Sequence, residues 1–407
     1  MVIPQVNMVI PLLLLVLIGL ASMKTGAQSV GIGVCYGRVA NNLPPSEEVI
    51  DLYKANGIGR MRIYDPDQAT LEALRGSNIE LVIGVPNENI ESIANSVSSA
   101  TYWVQNNILN YSKDVKFRYI VVGNEIDPSN DPTSTFVLPA MLNINAALTS
   151  ANLQHQIKVS TAIQMNLLGS SYPPSSGAFS TSSILYITPI VNFLVENEAP
   201  LLANVYTYFS YINDPKSIDL SFALFTSPNV KVRDEKNEYQ NLFDATLGAL
   251  YAALEKVGGA NLKVVVSESG WPSHGDVGAS VENAQIYHEN LIKHVSVGTP
   301  NRPNQALETY LFAMFDENQK GPAETERYYG LFTPDKQLKY QISQLLKPSY
   351  STNSSSSKSG GGSSESGGGS SESGGEMSYF TSSSPSESRA GVVVFILCFT
   401  LLFLYFV

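Results

Sequence analysis

Two carboxylates in this chain close runs of apolar and β-branched residues. Glu268 lies in Val264-Val265-Val266-Ser267-Glu268-Ser269-Gly270-Trp271-Pro272-Ser273, and Glu125 ends Phe117-Arg118-Tyr119-Ile120-Val121-Val122-Gly123-Asn124-Glu125. Such runs suit the pleated, two-sided interior of a sheet. Gly270 and Pro272 then turn the chain out of the strand. A carboxylate at the end of a buried strand is costly unless hydrogen-bonded or paired. Taken alone, Glu268 therefore fits a structural ion pair. Two carboxylates on separate strand ends open a second chemistry. Facing each other, they can flank a glycosidic bond. The protonated one donates to the leaving oxygen while the ionised one attacks the anomeric carbon.

For this to work, a fold must bring the two strand ends together. Eight apolar runs read as strands: Val30–Cys35, Arg60–Tyr64, Ile79–Val85, Phe117–Val122, Lys158–Ile163, Leu201–Tyr206, Leu262–Ser267 and Glu308–Met314. Helix-like stretches separate them. One begins at Ser46, read as an N-cap ahead of Glu47 and Glu48, and another at Asp67. Longer ones run through Ile90–Asn106, Thr133–Ala151, Tyr239–Val257 and Ser280–His294. Strand–helix alternation implies parallel βαβ units. Eight of them in roughly 320 residues predict an α/β fold, the (β/α)8 TIM barrel. A doubly wound sheet is the alternative that counting leaves open. The connections Gly169–Phe179 and Phe209–Arg233 look like elaborations. The second predicts a small subdomain near strand six and the helix that follows it. In a (β/α)8 barrel, function collects at the C-terminal strand ends, and strands four and seven face each other across the mouth.

Strand eight runs into Phe315-Asp316-Glu317-Asn318-Gln319-Lys320. Glu317 and Lys320 are candidates for a charge pair at the site, and a nearby lysine could hold Glu268 ionised. An ordinary solvated loop is the alternative. Tyr36, after strand one, fits either a sugar contact or a core position. Other motifs fail. Gly31-Ile32-Gly33-Val34-Cys35-Tyr36-Gly37 has its third glycine one residue late for a dinucleotide loop. His288-Glu289 lacks the second histidine of a zinc helix. No Gly-x-Ser-x-Gly elbow occurs. No cofactor and no metal are expected.

The 407 residues carry a formal net charge of −11, which disfavours nucleic acid, a ligand that wants a basic stripe. Residues 1–27 read as a signal peptide: an apolar run from Val9 to Leu20, then Thr25-Gly26-Ala27 before Gln28. Residues 28–348 form the catalytic-domain candidate. Residues 349–389 are a Ser/Gly-rich linker. Residues 390–407 are an apolar tail without a following Lys or Arg. Small residues, a polar spacer and an apolar tail predict attachment of a glycosylphosphatidylinositol (GPI) lipid, with the tail removed; a tail anchor is the alternative. Cys398 would leave with the tail, and Cys35 would then have no disulfide partner in the chain. Asn110 and Asn353 open glycosylation sequons.

These residues carry a resemblance. Val264 to Ser273 resembles the signature of glycoside hydrolase family 17, the plant endo-β-1,3-glucanases. Gly33–Gly37, Asn41–Pro44, Arg60–Pro66, Val122–Glu125, Asn204–Tyr206 and Ala313–Lys320 are similar to that family as well. The resemblance implies a (β/α)8 barrel and a retaining mechanism, with Glu125 as acid/base and Glu268 as nucleophile. It implies substrate-binding or supporting roles for Tyr36, Asn124, Tyr206, Phe209, Trp271, Glu317 and Lys320. Retention predicts carboxyl groups about 5–5.5 Å apart, inversion about 6.5–9.5 Å. The expected partner is a callose-like β-1,3-glucan, and the expected state is a monomer. The expected place is the cell surface, GPI-anchored and facing the wall, with wall channels between plant cells (plasmodesmata) as a family-level expectation. Mixed 1,3;1,4-glucan hydrolysis, transglycosylation, and glucan binding by a degenerate site stay open.

Overall fold

The structure is a computed structural model that describes residues 31–343. The proposed signal peptide, linker, GPI region, apolar tail, Cys398 and the Asn353 sequon lie outside the described residues. Eight strands form one closed parallel barrel: β1 (Ile32–Cys35), β2 (Arg60–Ile63), β3 (Glu80–Val85), β4 (Lys116–Asn124), β5 (Lys158–Gln164), β6 (Leu201–Asn204), β7 (Val264–Ser269) and β8 (Thr309–Leu311). Ile32 opposite Thr309 and Val34 opposite Met61 close the ring. The (β/α)8 reading is correct, and the doubly wound alternative is excluded by closure.

Alternation sorts the side chains into two cores. Cys35, Val82, Val121, Ala162, Leu202, Val265 and Tyr310 fill the barrel interior. Val34, Met61, Ile83, Ile120, Ile163, Leu201 and Val264 pack outward against the helices. Each fully buried side chain of this kind contributes roughly 1.5–3 kcal/mol. At the N-terminal end, Arg118 donates from Nε and Nη2 to the two oxygens of Glu308 at 2.7 and 2.6 Å. Polar residues at that end of a barrel serve stability.

The helices differ from expectation at their ends. Ser46 does not cap its helix. Pro45 occupies that position without a side-chain bond, and Ser46 Oγ meets Thr70 Oγ1 instead. The stretch expected over Ile90–Asn106 breaks at Ser96, which turns extended and accepts a bond from Ser99 N to start Val97–Val104. The helix expected from Tyr239 begins at Leu242 behind an Asn241 cap, because Tyr239 belongs to a hairpin. That hairpin (Val232–Asp234 with Asn237–Tyr239) and the short helices Thr207–Asn213 and Leu220–Ala223 make up the elaboration between β6 and its helix. Asp234 ties it to the loop at Ser175 through bonds of 2.6 and 2.8 Å.

Two irregularities decide where the carboxylates point. Between Val266 and Glu268, β7 holds one more residue than β6 spends between Ala203 and Asn204. Between Val121 and Asn124, β4 likewise gains one residue on β5. Each is a β-bulge, which re-aims the side chains beyond it. Plain alternation from inward Val265 would put Glu268 on the helix side. The bulge turns it into the barrel mouth.

Candidate active site

Glu268, the last residue but one of β7, is almost fully buried, and three donors converge on it. Arg62 Nη1 and Tyr64 OH each donate to Oε1 at 2.9 Å, and Tyr206 OH donates to Oε2 at 2.7 Å. Arg62 comes from β2, inside the barrel, and lies 4.7 Å below the Tyr64 ring. The expectation that Lys320 would steady Glu268 is replaced by this geometry. Arg62 is the cation in contact. Lys320 Nζ stands 3.9 Å from Glu317 and 3.4 Å from Glu326, over the Phe312 ring. Glu317 Oε1 accepts from Val39 N at 2.8 Å, which pins the chain after β1. Burial raises the Glu317 pKa, and the Lys320 charge opposes it.

Glu125 follows β4 with φ of 57°, in the left-handed region that few residues other than glycine adopt. Gly123, at φ 84°, lets the chain turn there. Strained backbone persists where its surroundings over-determine it. Here Asn87 supplies the clamp: Nδ2 donates to Asn124 O at 3.0 Å, and Oδ1 accepts from Asn124 N at 2.9 Å. Glu125 N donates to Ala162 O at 2.9 Å. Burial, then the charge of Glu268, push the Glu125 carboxyl up to about 7, against the Asn204 bond and the Arg62 and Lys320 charges.

Asn204 joins the two. Its Nδ2 donates to Glu125 Oε1 at 2.9 Å, and its Oδ1 accepts from Arg62 Nη1 at 3.0 Å and Ser267 Oγ at 2.7 Å. Arg62 Nη2 also donates to Asn124 Oδ1 at 2.7 Å. A pocket of about 330 Å³ opens beside this cluster, lined in part by Arg62, Tyr64, Asn87, Glu88 and Asn124.

The other expected residues fall in several places. Tyr206 is a Glu268 partner. Phe209 presents a ring 36% exposed, centred 5.4 Å from that of Tyr206. Tyr36 is buried edge-on to Phe315, and burial pushes its hydroxyl up to about 12. Trp271 is 0% exposed and forms no open wall of the cleft. Its indole packs against Tyr208 and Tyr287 and donates to Gly278 O at 2.8 Å, so it supports the loop after β7 from within. The Cys35 thiol is buried below the site, donating to Ser267 O at 3.4 Å, and burial pushes it up to about 12. Asn110 is exposed, as a sequon requires. Among the described residues no cluster of His, Cys, Asp and Glu could hold a metal ion.

Sequence reasoning missed Arg62, Tyr64, Asn87 and Asn204. Arg62 and Tyr64 stood within a family-like motif without a role. Asn204 and Tyr64 are polar residues closing apolar runs, the same test that found Glu125 and Glu268.

Both the sequence and the fold have counterparts among known proteins. A family profile described as glycosyl hydrolases family 17 matches residues 32–344. A glucan endo-1,3-β-glucosidase of Vitis vinifera is 59% identical over 338 residues, 82% of this chain and 97% of the relative. The basic vacuolar isoform of Nicotiana plumbaginifolia is 49% identical over 350 residues, 86% of this chain and 95% of its own. Among solved structures, a β-1,3-glucanase and allergen of Cryptomeria japonica pollen superposes with TM-score 0.75 and 47% identity, covering 77% of this chain and 98% of that one. One described under two plant β-glucan endohydrolases with distinct substrate specificities gives 0.74 and 45%, over 76% and 99%.

Proposed function

The chain belongs to glycosyl hydrolases family 17, and from that premise we propose that it is a retaining endo-hydrolase of β-1,3-glucosidic bonds in callose-like glucan. The observation that carries this reading is the contrast between the two strand-end carboxylates. Glu268 sits under three donors, while Glu125 makes one side-chain bond and has a carboxyl raised to about 7. Carboxylates in opposed environments suit opposed roles.

In the first step Glu268 attacks the anomeric carbon. The bond to the leaving sugar breaks, and Glu125 gives its proton to the departing oxygen. In the second step Glu125 takes a proton from water, the water oxygen bonds to the anomeric carbon, and the Glu268 ester breaks. The proton and both carboxylates are restored. Asn124 holds the start of the Glu125 turn. The exposed Phe209 ring offers a face for a sugar.

Hydrolysis of linear β-1,3-glucan, followed by proton NMR, tests the assignment. The β-anomer should form first, and Glu268→Gln should abolish turnover. An α-anomer formed first would sink retention, and folded protein releasing no reducing ends would favour a glucan-binding role. A product profile on mixed 1,3;1,4-glucan sets the linkage preference, and longer products would reveal transglycosylation.

The same proposal places the enzyme on the outer face of the plasma membrane through a GPI lipid, as a monomer facing the wall. It rests on the Ser/Gly-rich stretch followed by the apolar run Ala390–Val407. A phosphatidylinositol-specific phospholipase should release it; retention on the membrane would point to a tail anchor. Among the described residues no helix is long and apolar enough to cross a membrane.

A further inference from the structure

We propose that Asn204 is a positioning residue that selects which oxygen of Glu125 carries the proton, reserving Oε1 as an acceptor and leaving Oε2 to face the substrate. This rests on the reading of Glu125 as acid/base and deepens it.

The argument starts with the orientation of an amide. Oxygen and nitrogen of an asparagine side chain are told apart by their partners. Arg62 Nη1 can only donate, so the atom 3.0 Å from it must be Oδ1. Ser267 Oγ, 2.7 Å away, completes that oxygen. Nδ2 is thereby turned toward Glu125 Oε1 at 2.9 Å and Asn124 Oδ1 at 3.3 Å. Asn124 Oδ1 is itself an acceptor from Arg62 Nη2, so both Nδ2 hydrogens point at oxygens that accept.

The consequence falls on Glu125. Oε1 receives a hydrogen that cannot be withdrawn without disturbing Arg62, so it stays the acceptor oxygen in both protonation states. A proton on Oε1 would face the amide hydrogen. The proton therefore resides on Oε2, which has no hydrogen-bond partner among the described residues. It leaves from Oε2 to the glycosidic oxygen and returns there from water. Asn204 also favours the ionised form, opposing burial and the Glu268 charge. Other charges acting on Glu125 are Arg62 and Lys320, both lowering its pKa. Arg62 touches Glu268, Asn204 and Asn124 at once, so the chain of bonds also couples the acid to the nucleophile.

The test compares Asn204→Ala with wild type on linear β-1,3-glucan and on an aryl β-glucoside whose leaving group needs no proton. Loss of the donor should move the basic limb of kcat/KM upward by roughly one pH unit. It should lower turnover of glucan at least tenfold while changing turnover of the aryl substrate far less. Equal losses on both substrates with an unmoved limb, or no loss on either, would overturn the assignment. Should Asn204→Ala fail to fold, the isosteric Asn204→Asp replaces the donor by a second acid and should raise the limb further; an unmoved or lowered limb overturns it. Glu125→Gln separates the two readings. If that variant cuts glucan at close to the wild-type rate, the acid/base role itself fails. If its rate on glucan falls about a hundredfold or more and Asn204→Ala behaves as wild type, only the Asn204 assignment fails.

Discussion

Arg62 and Glu268 form an ion pair inside the barrel: Nη1 to Oε1 is 2.9 Å, and the side chains are 2% and 8% exposed. Arg62 also donates to Ser267 O, Asn204 and Asn124. One cation from β2 thus reaches the ends of β4, β6 and β7. In an apolar interior such a cation is stable only when its donors are used.

Removing it leaves a buried carboxylate alone. Arg62→Met is expected to lower stability by about 3–5 kcal/mol, the cost of breaking a buried pair from one side. Adding Glu268→Gln should recover part of that loss. Urea unfolding of both single variants and the double variant measures the coupling. Simple additivity would mean the pair does not act as a unit.

The raised Glu125 carboxyl sets a pH limit. Protonated Glu125 is the active form, so kcat/KM should hold below about 7 and fall as pH rises through that value. Glu125→Gln should cost about 10²–10⁴ in rate on glucan and remove this limb. A pH–rate profile of both enzymes checks it.

Phe209 holds a partly exposed ring outside the packed cores, and the proposed function gives it a sugar contact to make. Phe209→Ala should raise KM for glucan roughly tenfold, a loss of about 1.4 kcal/mol, while kcat changes little. Its melting temperature should stay close to wild type, because the ring is partly in water already. A fall in kcat with unchanged KM would contradict a ground-state contact.

His288 should make the fold sensitive to acid. Its ring is fully buried, with Nδ1 2.7 Å from Ala284 O and 3.2 Å from Tyr340 OH. Burial lowers its pKa to about 4; the Ala284 bond opposes this and the Lys339 charge adds to it. Between an unfolded value near 6.5 and about 4, the unfolded chain binds more protons than the native one. Stability therefore drops as pH falls through that window, by an amount on the order of 3 kcal/mol from this group. Urea midpoints at pH 7.5 and 4.5 should converge in His288→Gln relative to wild type.

Much of the site could be read from local pattern. Glu125 and Glu268 stand out as a pair, since each closes an apolar run and either one alone fits a structural ion pair. Tyr206 lies in the family-like motif Asn204–Tyr206, and Phe209 follows three residues beyond it. Arg62 was missed because alternating Arg60-Met61-Arg62-Ile63 reads equally well as a strand with one wet face. Its actual position is inside a closed barrel, beside Cys35 in the register. A tryptophan beside a catalytic strand suits either a substrate-binding or a supporting role, and the sequence alone does not separate the two for Trp271. Packing against Tyr208 and Tyr287 instead placed it behind the surface.

By itself, the sequence determined the strand–helix alternation, hence a parallel α/β fold, and the two carboxylates at the ends of the fourth and seventh strands; closure into a barrel is seen only in the structure. These depend on periodicity and residue type, which are local. The tertiary structure decided which way those carboxylates point and what holds them. The bulges in β4 and β7 exist only relative to neighbouring strands, since an extra residue has no meaning until a register is set. Arg62, Asn204 and Glu268 lie far apart in the chain, and only closure of the barrel brings one guanidinium within 3 Å of the other two.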